Sequence, residues 1–245
     1  GTEFEGDMIM TIPKLGRRAL LGSAGLGMLA APAIVRAQAA APVAQDTTRL
    51  EINRAMPPET HRFTLGDFEV FVVKDGARPS GAPNETFGTN QSAADVAALL
   101  EENFLPPEDF VNSFAPTLVN TGSDVVLFDT GLGPGGRAQG LGRLVEGLAA
   151  GGYSPEDVTV VVITHMHGDH IGGLMEDAKP TFPNARYVAG QVEYDFWTDT
   201  ARVGTPAENG HKGVLANVQP LAEKMTFIGD GAEVVSGITG MAAFG

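Results

Sequence analysis

The sequence predicts an α+β fold in which a mixed β-sheet is covered by helices. Three observations lead to this prediction. Hairpin-like segments come first, helical segments alternate with strands later, and a loop rich in metal-binding side chains follows a buried strand. Elements in this order build a sheet with helices packed on it, because each element must bury its apolar face against another.

Two β-hairpins open the predicted domain. Their strands alternate apolar and polar side chains, and the turns between them carry Gly-Asp and Asn-Thr-Gly-Ser. The four predicted strands are residues 63–65, 68–74, 115–119 and 124–128. Asp129 directly follows the last of them.

Helices and further strands follow from apolar periodicity and from the residues that begin and end helices. The predicted helices are residues 92–104, 141–150 and 192–197. The later predicted strands are residues 158–163, 186–189, 225–228 and 233–238. Polar residues, glycine and proline predict loops at residues 78–91 and 205–213.

The loop after the strand 158–163 contains four candidate metal ligands, and they are His165, His167, Asp169 and His170. Imidazole and carboxylate together suit a borderline divalent metal such as zinc. The spacing is too tight for one helix face, where ligands are three or four residues apart. On a strand-to-loop turn, the first two side chains can converge on one ion and the last two on a second.

Glycines follow the same loop closely. We expect Gly168, Gly172 and Gly173 to supply the φ freedom and the backbone clearance of the turn. The alternative is a polar loop with scattered histidines. Four ligand-type residues between an apolar strand and a Gly-Gly pair make that alternative the weaker one.

Composition restricts the function classes. The 245 residues could form one large domain or two small ones. A net charge of −14 argues against a nucleic-acid surface, because phosphate binding needs clustered Lys and Arg. The absence of cysteine excludes disulfides and thiolate metal sites.

Residues 1–39 are predicted to contain a cloning remnant, at residues 1–7, followed by a segment that resembles an export signal. Arg17 and Arg18 precede an apolar run at residues 19–35 and an Ala-Gln-Ala cleavage site. The arginine pair is typical of a twin-arginine signal. We therefore expect a periplasmic or secreted protein that has no membrane contact after cleavage. Residues 40–61 are predicted to be a linker or surface arm, and residues 62–245 the domain.

The run T-H-x-H-x-D-H-x-G-G resembles the signature of the metallo-β-lactamase superfamily, whose members are mostly binuclear hydrolases. The resemblance implies an αββα sandwich with two divalent metals, zinc in type, at one edge. His165 and His167 would bind the first metal. Asp169 and His170 would bind the second.

Segments such as T-L-V-N-T-G-S-D-V-V-L-F-D-T-G and Y-D-F-W resemble the periplasmic methyl parathion hydrolase-like branch, a neighbour of the lactonases. By position, Asp129 would be the carboxylate that orients a ligand histidine, although it could simply cap the turn after its strand. Trp197 would line the substrate pocket, although a lone tryptophan on an apolar helix is often core. His61 and His211 are expected to be solvated surface residues.

Two departures from this branch bear on substrate and completeness. The loop 132–137 and the stretch 210–221 lack the aromatic residues of the branch, so a lactone or carboxylic ester fits as well as a phosphotriester. The family would continue after Gly245 into H-T-P-G-H, which supplies further ligands. We therefore expect a C-terminally truncated sandwich that is poorly soluble or pairs as a homodimer.

The expected reaction is hydrolysis of a small-molecule ester, lactone or phosphotriester by a metal-bridged hydroxide. Asp169 would orient the nucleophile and carry a proton to the leaving group. Two alternatives remain open. One is a metallo-β-lactamase that hydrolyses β-lactams. The other is a non-catalytic fragment with a half-built metal site, in which the 245-residue chain itself is inactive or weakly active.

Overall fold

The structure is a computed structural model that describes residues 59–244. The strands are β1 (Thr60–Leu65), β2 (Phe68–Val73), β3 (Gly76–Pro79), β4 (Val111–Phe114), β5 (Thr117–Asn120), β6 (Val125–Phe128), β7 (Val160–Ile163), β8 (Met175–Glu176), β9 (Lys179–Pro180), β10 (Arg186–Gly190), β11 (Met225–Ile228), β12 (Glu233–Val235) and β13 (Ile238–Thr239). The α-helices are α1 (Ala93–Glu102), α2 (Leu144–Ala150), α3 (Gly168–Ile171), α4 (Gln191–Thr198) and α5 (Glu208–Asn217).

A seven-stranded mixed sheet organises these elements, with the order β1-β2-β5-β6-β7-β10-β11. The first four strands pair antiparallel as the two predicted hairpins, so that prediction is confirmed. β6, β7, β10 and β11 are parallel neighbours. Parallel strands end at the same edge of a sheet, and the residues after β6, β7 and β10 therefore meet there.

The two faces of the sheet bury different sets of side chains. On β7, Val161 and Ile163 face the larger core, which packs against α2, α3 and α5. Val160 faces a smaller core with Val234 and Val235 of the β12–β13 hairpin. This alternation follows from the two-residue period of a strand. The layers are therefore helices, main sheet and a β-hairpin, which agrees with the predicted α+β class.

The predicted export signal of residues 1–39 and most of the predicted arm of residues 40–61 lie outside the described residues. Among the described residues, the first strand begins at Thr60, two residues before the predicted boundary. Between residues 59 and 244, no helix has both the length and the apolar character needed to cross a bilayer.

The structure corrects the prediction for His211. This histidine lies in α5 and is only 4% exposed, so it is not a solvated residue of a polar loop. Its ring Nδ1 lies 2.7 Å from the carbonyl oxygen of Trp197. The helix was not predicted because Gly210 and Gly213 lower the helix propensity of this segment. His61, in contrast, is exposed as predicted, although it lies within β1.

The region between the two hairpins also differs from the prediction. The predicted loop 78–91 begins inside β3, which pairs antiparallel with β4. The predicted helix 92–104 is confirmed as α1, and Ser92 caps it by accepting a hydrogen bond from Asp95 N. Its apolar side is not buried, however, since Leu99 is 62% exposed.

Candidate metal centre

The four candidate ligands lie at the edge of the sheet where β7 ends. β7 stops at Ile163, and His167 directly precedes the four-residue helix α3, in which Asp169 and His170 lie. The predicted turn therefore contains one turn of helix.

The structure brings the four side chains together. The ring of His165 lies 4.8 Å from that of His167 and 3.8 Å from that of His170, measured between centroids. Asp169 Oδ2 lies 3.3 Å from His170 Nε2. The predicted cluster is thus present as a cluster, while the ligand role of each member stays a prediction.

Met166 explains why its two neighbours face outward. Its side chain is fully buried in the larger core. In extended backbone, successive side chains point to opposite sides. His165 and His167 therefore project away from the core, and they remain accessible at the edge of the sheet.

Asp129 holds the cluster from the neighbouring strand end. Its Oδ2 lies 2.8 Å from His170 Nδ1, and its two oxygens accept hydrogen bonds from the backbone N–H and the hydroxyl of Thr164. Asp129 has a φ of 60°, a left-handed conformation that aspartate tolerates better than most residues. The residue thus contacts His170 and also braces the turn, and its role in orienting a metal ligand stays a prediction.

The electrostatics of the cluster follow from these contacts. Burial lowers the pKa of His170, but its hydrogen bonds with Asp129 and Asp169 outweigh burial and raise the pKa to about 9. The hydrogen bond from His170 holds the pKa of Asp169 below its ordinary value. Burial lowers the pKa of His165, and the two neighbouring histidines lower it further. Asp169 as carboxylate and His165 as neutral imidazole are the forms that bind metals.

The imidazole nitrogens and carboxylate oxygens of the cluster are atom types that bind divalent metals, and one pair of them also has a suitable separation. Two ligand atoms about 2.1 Å from a tetrahedral zinc ion stand about 3.4 Å apart. The 3.3 Å between Asp169 Oδ2 and His170 Nε2 matches this spacing. Within residues 59–244, however, no three His, Cys, Asp or Glu side chains are arranged to hold a metal ion. The role of these side chains as metal ligands therefore stays a prediction.

The predicted pocket residue, Trp197, lies beside the cluster. Its ring is 5.8 Å from that of His167, in a T-shaped arrangement, and 5.0 Å from that of Phe196. Trp197 is partly buried against the larger core. It is therefore both a packing residue and the aromatic neighbour of a candidate ligand, and its contact with substrate stays a prediction.

Glu193 is a further residue of the site that was not predicted from the sequence. Its Oε1 accepts hydrogen bonds from the backbone N–H of Met166 and from the indole N–H of Trp197. Glu193 and Trp197 are four residues apart in α4 and so share one helix face. That spacing was a signal for the indole contact, whereas no local pattern indicated the contact with Met166.

Asp75 was also missed. This carboxylate is fully buried and accepts hydrogen bonds from the backbone N–H groups of Leu132, Gly142 and Leu144. Asp75 thereby anchors the chain that leaves Asp129. Its position at the end of the first hairpin predicted only a turn.

The three glycines of the signature were predicted to supply both φ freedom and backbone clearance. The φ part of that prediction is wrong, whereas backbone clearance is needed at two of the three positions. Gly168, Gly172 and Gly173 all lack a positive φ. A Cβ on Gly172 would lie 2.5 Å from Leu132 O, and one on Gly173 would lie 2.2 Å from Thr130 O. A Cβ on Gly168 would meet nothing within 4 Å. Of these three glycines, the close approach of the two loops therefore requires Gly172 and Gly173.

The sequence is similar to a known protein family and to several of its members. The family model for the metallo-beta-lactamase superfamily matches residues 111–236. The metallo-beta-lactamase domain-containing protein 1 of Mus musculus is 48% identical over 71 residues, or 29% of this chain and 22% of that protein. The anti-Pycsar protein Apyc1 of Paenibacillus sp. (strain J14) is 40% identical over 58 residues, or 22% of this chain and 24% of that protein.

Solved structures resemble the chain over a longer range. AidC, a dizinc quorum-quenching lactonase in complex with its product, matches with a TM-score of 0.63 and 25% identity over 72% of this chain. The hydrolase AbOPH of the beta lactamase superfamily matches with a TM-score of 0.60 and 25% identity over 71% of this chain. Each match covers 63% of the other chain, so this chain spans less than two thirds of these structures.

Proposed function

The chain belongs to the metallo-β-lactamase superfamily, and from this premise we propose that it carries the metal-binding part of a metal-dependent hydrolase. The bond cleaved would be that of an ester, a lactone or a phosphotriester in a small molecule. One observation carries the proposal. His165, His167, Asp169 and His170 share one edge of the sheet, and Asp129 orients the last of them.

The proposed cofactor is a pair of divalent cations, Zn²⁺ in type. His165 and His167 would hold one, and Asp169 and His170 the other. When bound, such ions polarise a carbonyl or phosphoryl oxygen and lower the pKa of water.

The side chains of this chain then have separate tasks. Asp129 Oδ2 accepts a hydrogen bond from His170 Nδ1–H, and this bond turns Nε2 of the same ring toward Asp169. Asp169, as a carboxylate at this edge, would accept a proton and pass it to a leaving group. Trp197 would contact the apolar part of the substrate, since its ring lies beside His167.

Among the three bond types we favour a lactone. The dizinc lactonase AidC supports this choice by its fold and its identity with this chain. The partly buried indole of Trp197 would suit the acyl group of such a substrate. The β-lactam alternative belongs to the same superfamily but lacks a comparable relative among the structures named above.

The experiment is a steady-state assay of the zinc-loaded protein on four substrates: an acyl-homoserine lactone, an aryl ester, a phosphotriester and a penicillin. We expect turnover of the lactone or ester, and its loss after chelation and in His167→Ala and Asp169→Ala variants. Turnover of the penicillin alone would overturn the ranking. Unchanged turnover in both variants would refute the metal centre.

A second candidate is a non-catalytic fragment with a weak metal site. The observation in its favour is that no three side chains within residues 59–244 are arranged to hold a metal. Metal analysis after dialysis separates the two candidates. Two tightly held ions per chain would exclude the fragment, and less than one would support it.

Location and assembly are further proposals. We propose export through the signal of residues 1–39, which antibody detection in the periplasm of expressing cells would test.

We also propose a homodimer formed over the sheet face next to β12–β13, where Val162 and Ile228 are only partly buried. A monodisperse monomer in sedimentation velocity would contradict it.

A further inference from the structure

A single oxygen of Glu193 ties the metal-binding loop to the aromatic residue beside it. Glu193 Oε1 lies 2.7 Å from the backbone nitrogen of Met166 and 2.8 Å from the indole nitrogen of Trp197. Both groups donate to it. The oxygen therefore bridges α4 and the loop that follows β7.

The bond to Met166 acts on the two histidines beside it. The Met166 side chain is locked in the larger core, and its N–H is held by Glu193. Both ends of this residue are thus restrained. Because His165 and His167 are its direct neighbours in the chain, the restraint fixes the backbone from which both imidazoles project.

The bond to Trp197 acts on the indole. Gly210 of α5 lies against the ring, and a Cβ there would come within 2.3 Å of it. The carbonyl oxygen of Trp197 lies 2.7 Å from His211 Nδ1. With the indole N–H held by Glu193, these contacts restrict the ring to one orientation, 5.8 Å from the ring of His167.

We propose that Glu193 is a positioning residue that sets the imidazole pair and the indole relative to each other. This proposal rests on the metal-dependent hydrolase proposed above. It assigns Glu193 no contact with the substrate or the metal. Its effect comes through two groups, and a carboxylate is suited to this because one charged oxygen accepts two hydrogen bonds strongly.

The test uses Glu193→Ala, Glu193→Gln and the control Asp195→Asn. The glutamine retains an acceptor oxygen of the same reach, whereas alanine removes it. Asp195 is exposed and lies on the same helix, so its substitution removes one charge from α4 without touching Met166 or Trp197. Circular dichroism confirms that each variant is folded.

Three measurements follow. Trp197 is the only tryptophan, so acrylamide quenching of the emission reports on this one indole. Hydrogen exchange of the Met166 amide, resolved by nitrogen-15 NMR, reports on the second bond. Competition with a chromophoric chelator gives the affinity for Zn²⁺.

For Glu193→Ala we expect stronger quenching, at least tenfold faster exchange at Met166, and a ten- to hundredfold loss of zinc affinity, as for other residues that orient ligands. Glu193→Gln should stay within about threefold of the unmodified chain, because its amide oxygen still accepts, although more weakly. Asp195→Asn should leave all three readings unchanged.

Unchanged quenching and exchange in folded Glu193→Ala would overturn the proposal. Equal zinc affinity in Glu193→Ala and the unmodified chain would also overturn it. Absence of zinc binding in the unmodified chain would instead contradict the proposed metal centre, and quenching and exchange would still decide the role of Glu193.

Discussion

Two consecutive residues that follow β6 hold His170: Asp129 contacts its ring, and Thr130 contacts its backbone carbonyl. Its Nδ1 lies 2.8 Å from Asp129 Oδ2, although 41 positions separate the two residues. Its carbonyl oxygen accepts hydrogen bonds from the N–H and the hydroxyl of Thr130. β6 and β7 are parallel neighbours, and this pairing brings Asp129 to the histidine.

The first prediction concerns Asp129→Asn. Asparagine tolerates the left-handed backbone at this position, so the change removes the charge without strain. We expect zinc affinity to fall ten- to a hundredfold, because His170 loses the carboxylate that orients it. Titration against a chelator measures this. The control is Asp67→Asn at the exposed turn of the first hairpin, and an equal affinity in both variants would count against the role of Asp129.

The second prediction compares Gly173→Ala with Gly168→Ala. A Cβ on Gly173 would lie 2.2 Å from the carbonyl oxygen of Thr130, whereas one on Gly168 has open space. We expect the free energy of unfolding to fall by about 2 to 4 kcal/mol for Gly173→Ala and to change by less than about 1 kcal/mol for Gly168→Ala. Urea denaturation measures both. Equal stability of the two variants would be inconsistent with the close approach.

The third prediction concerns the buried carboxylate of Asp75. In Asp75→Asn, an NH₂ group would replace an oxygen that now accepts from a backbone N–H. We expect a loss of about 2 to 4 kcal/mol, since a buried donor would then face another donor. Urea denaturation at pH 7 measures it. Asp124→Asn, at a partly buried position, is the comparison, and a loss as large there would remove the special role of Asp75.

The fourth prediction concerns stability at high pH. Burial, with the hydrogen bond to Glu69, raises the pKa of Tyr153 to about 12, and burial raises that of Tyr187 to about 12. An unfolded tyrosine has a pKa of about 10, so the folded state holds the proton more tightly. This contribution is fully present below pH 10 and is lost as pH rises toward 12.

Tyr153→Phe tests this sign. We expect the unmodified chain to lose about 1 to 3 kcal/mol more than Tyr153→Phe between pH 9 and pH 12, because the variant lacks one of the two ionisations. Urea denaturation across this range gives the two slopes. The variant will be less stable at pH 8, since Glu69 and Asn120 each lose one hydrogen bond, the one to the Tyr153 hydroxyl. Parallel slopes would show that Tyr153 does not titrate as described.

Local patterns predicted much of this molecule. Short apolar segments predicted the strands β1, β2, β5 and β6, and turn residues mark where each strand ends. The ligand spacing from His165 to His170 was sufficient to predict the cluster. Such features depend on residues that are close in the chain, and they can therefore be inferred from the sequence.

Long-range contacts could not be inferred in this way. The alternation of β3 and β4 is short, and their pairing depends on chain segments more than thirty positions apart. His211 was misplaced because two glycines concealed a helix that the core stabilises. Tertiary packing overrides weak local propensity in both cases.

The sequence by itself determined the chemistry of this protein, namely three imidazoles and a carboxylate on one short loop after an apolar strand. Only the tertiary structure decided how that loop is held. The loop is held by Asp129 and Glu193, and the segment that follows Asp129 is held by Asp75. All three residues come from distant parts of the chain. The physical reason is that side-chain type is a local property, whereas the orientation of a side chain depends on partners that folding alone brings within hydrogen-bond distance.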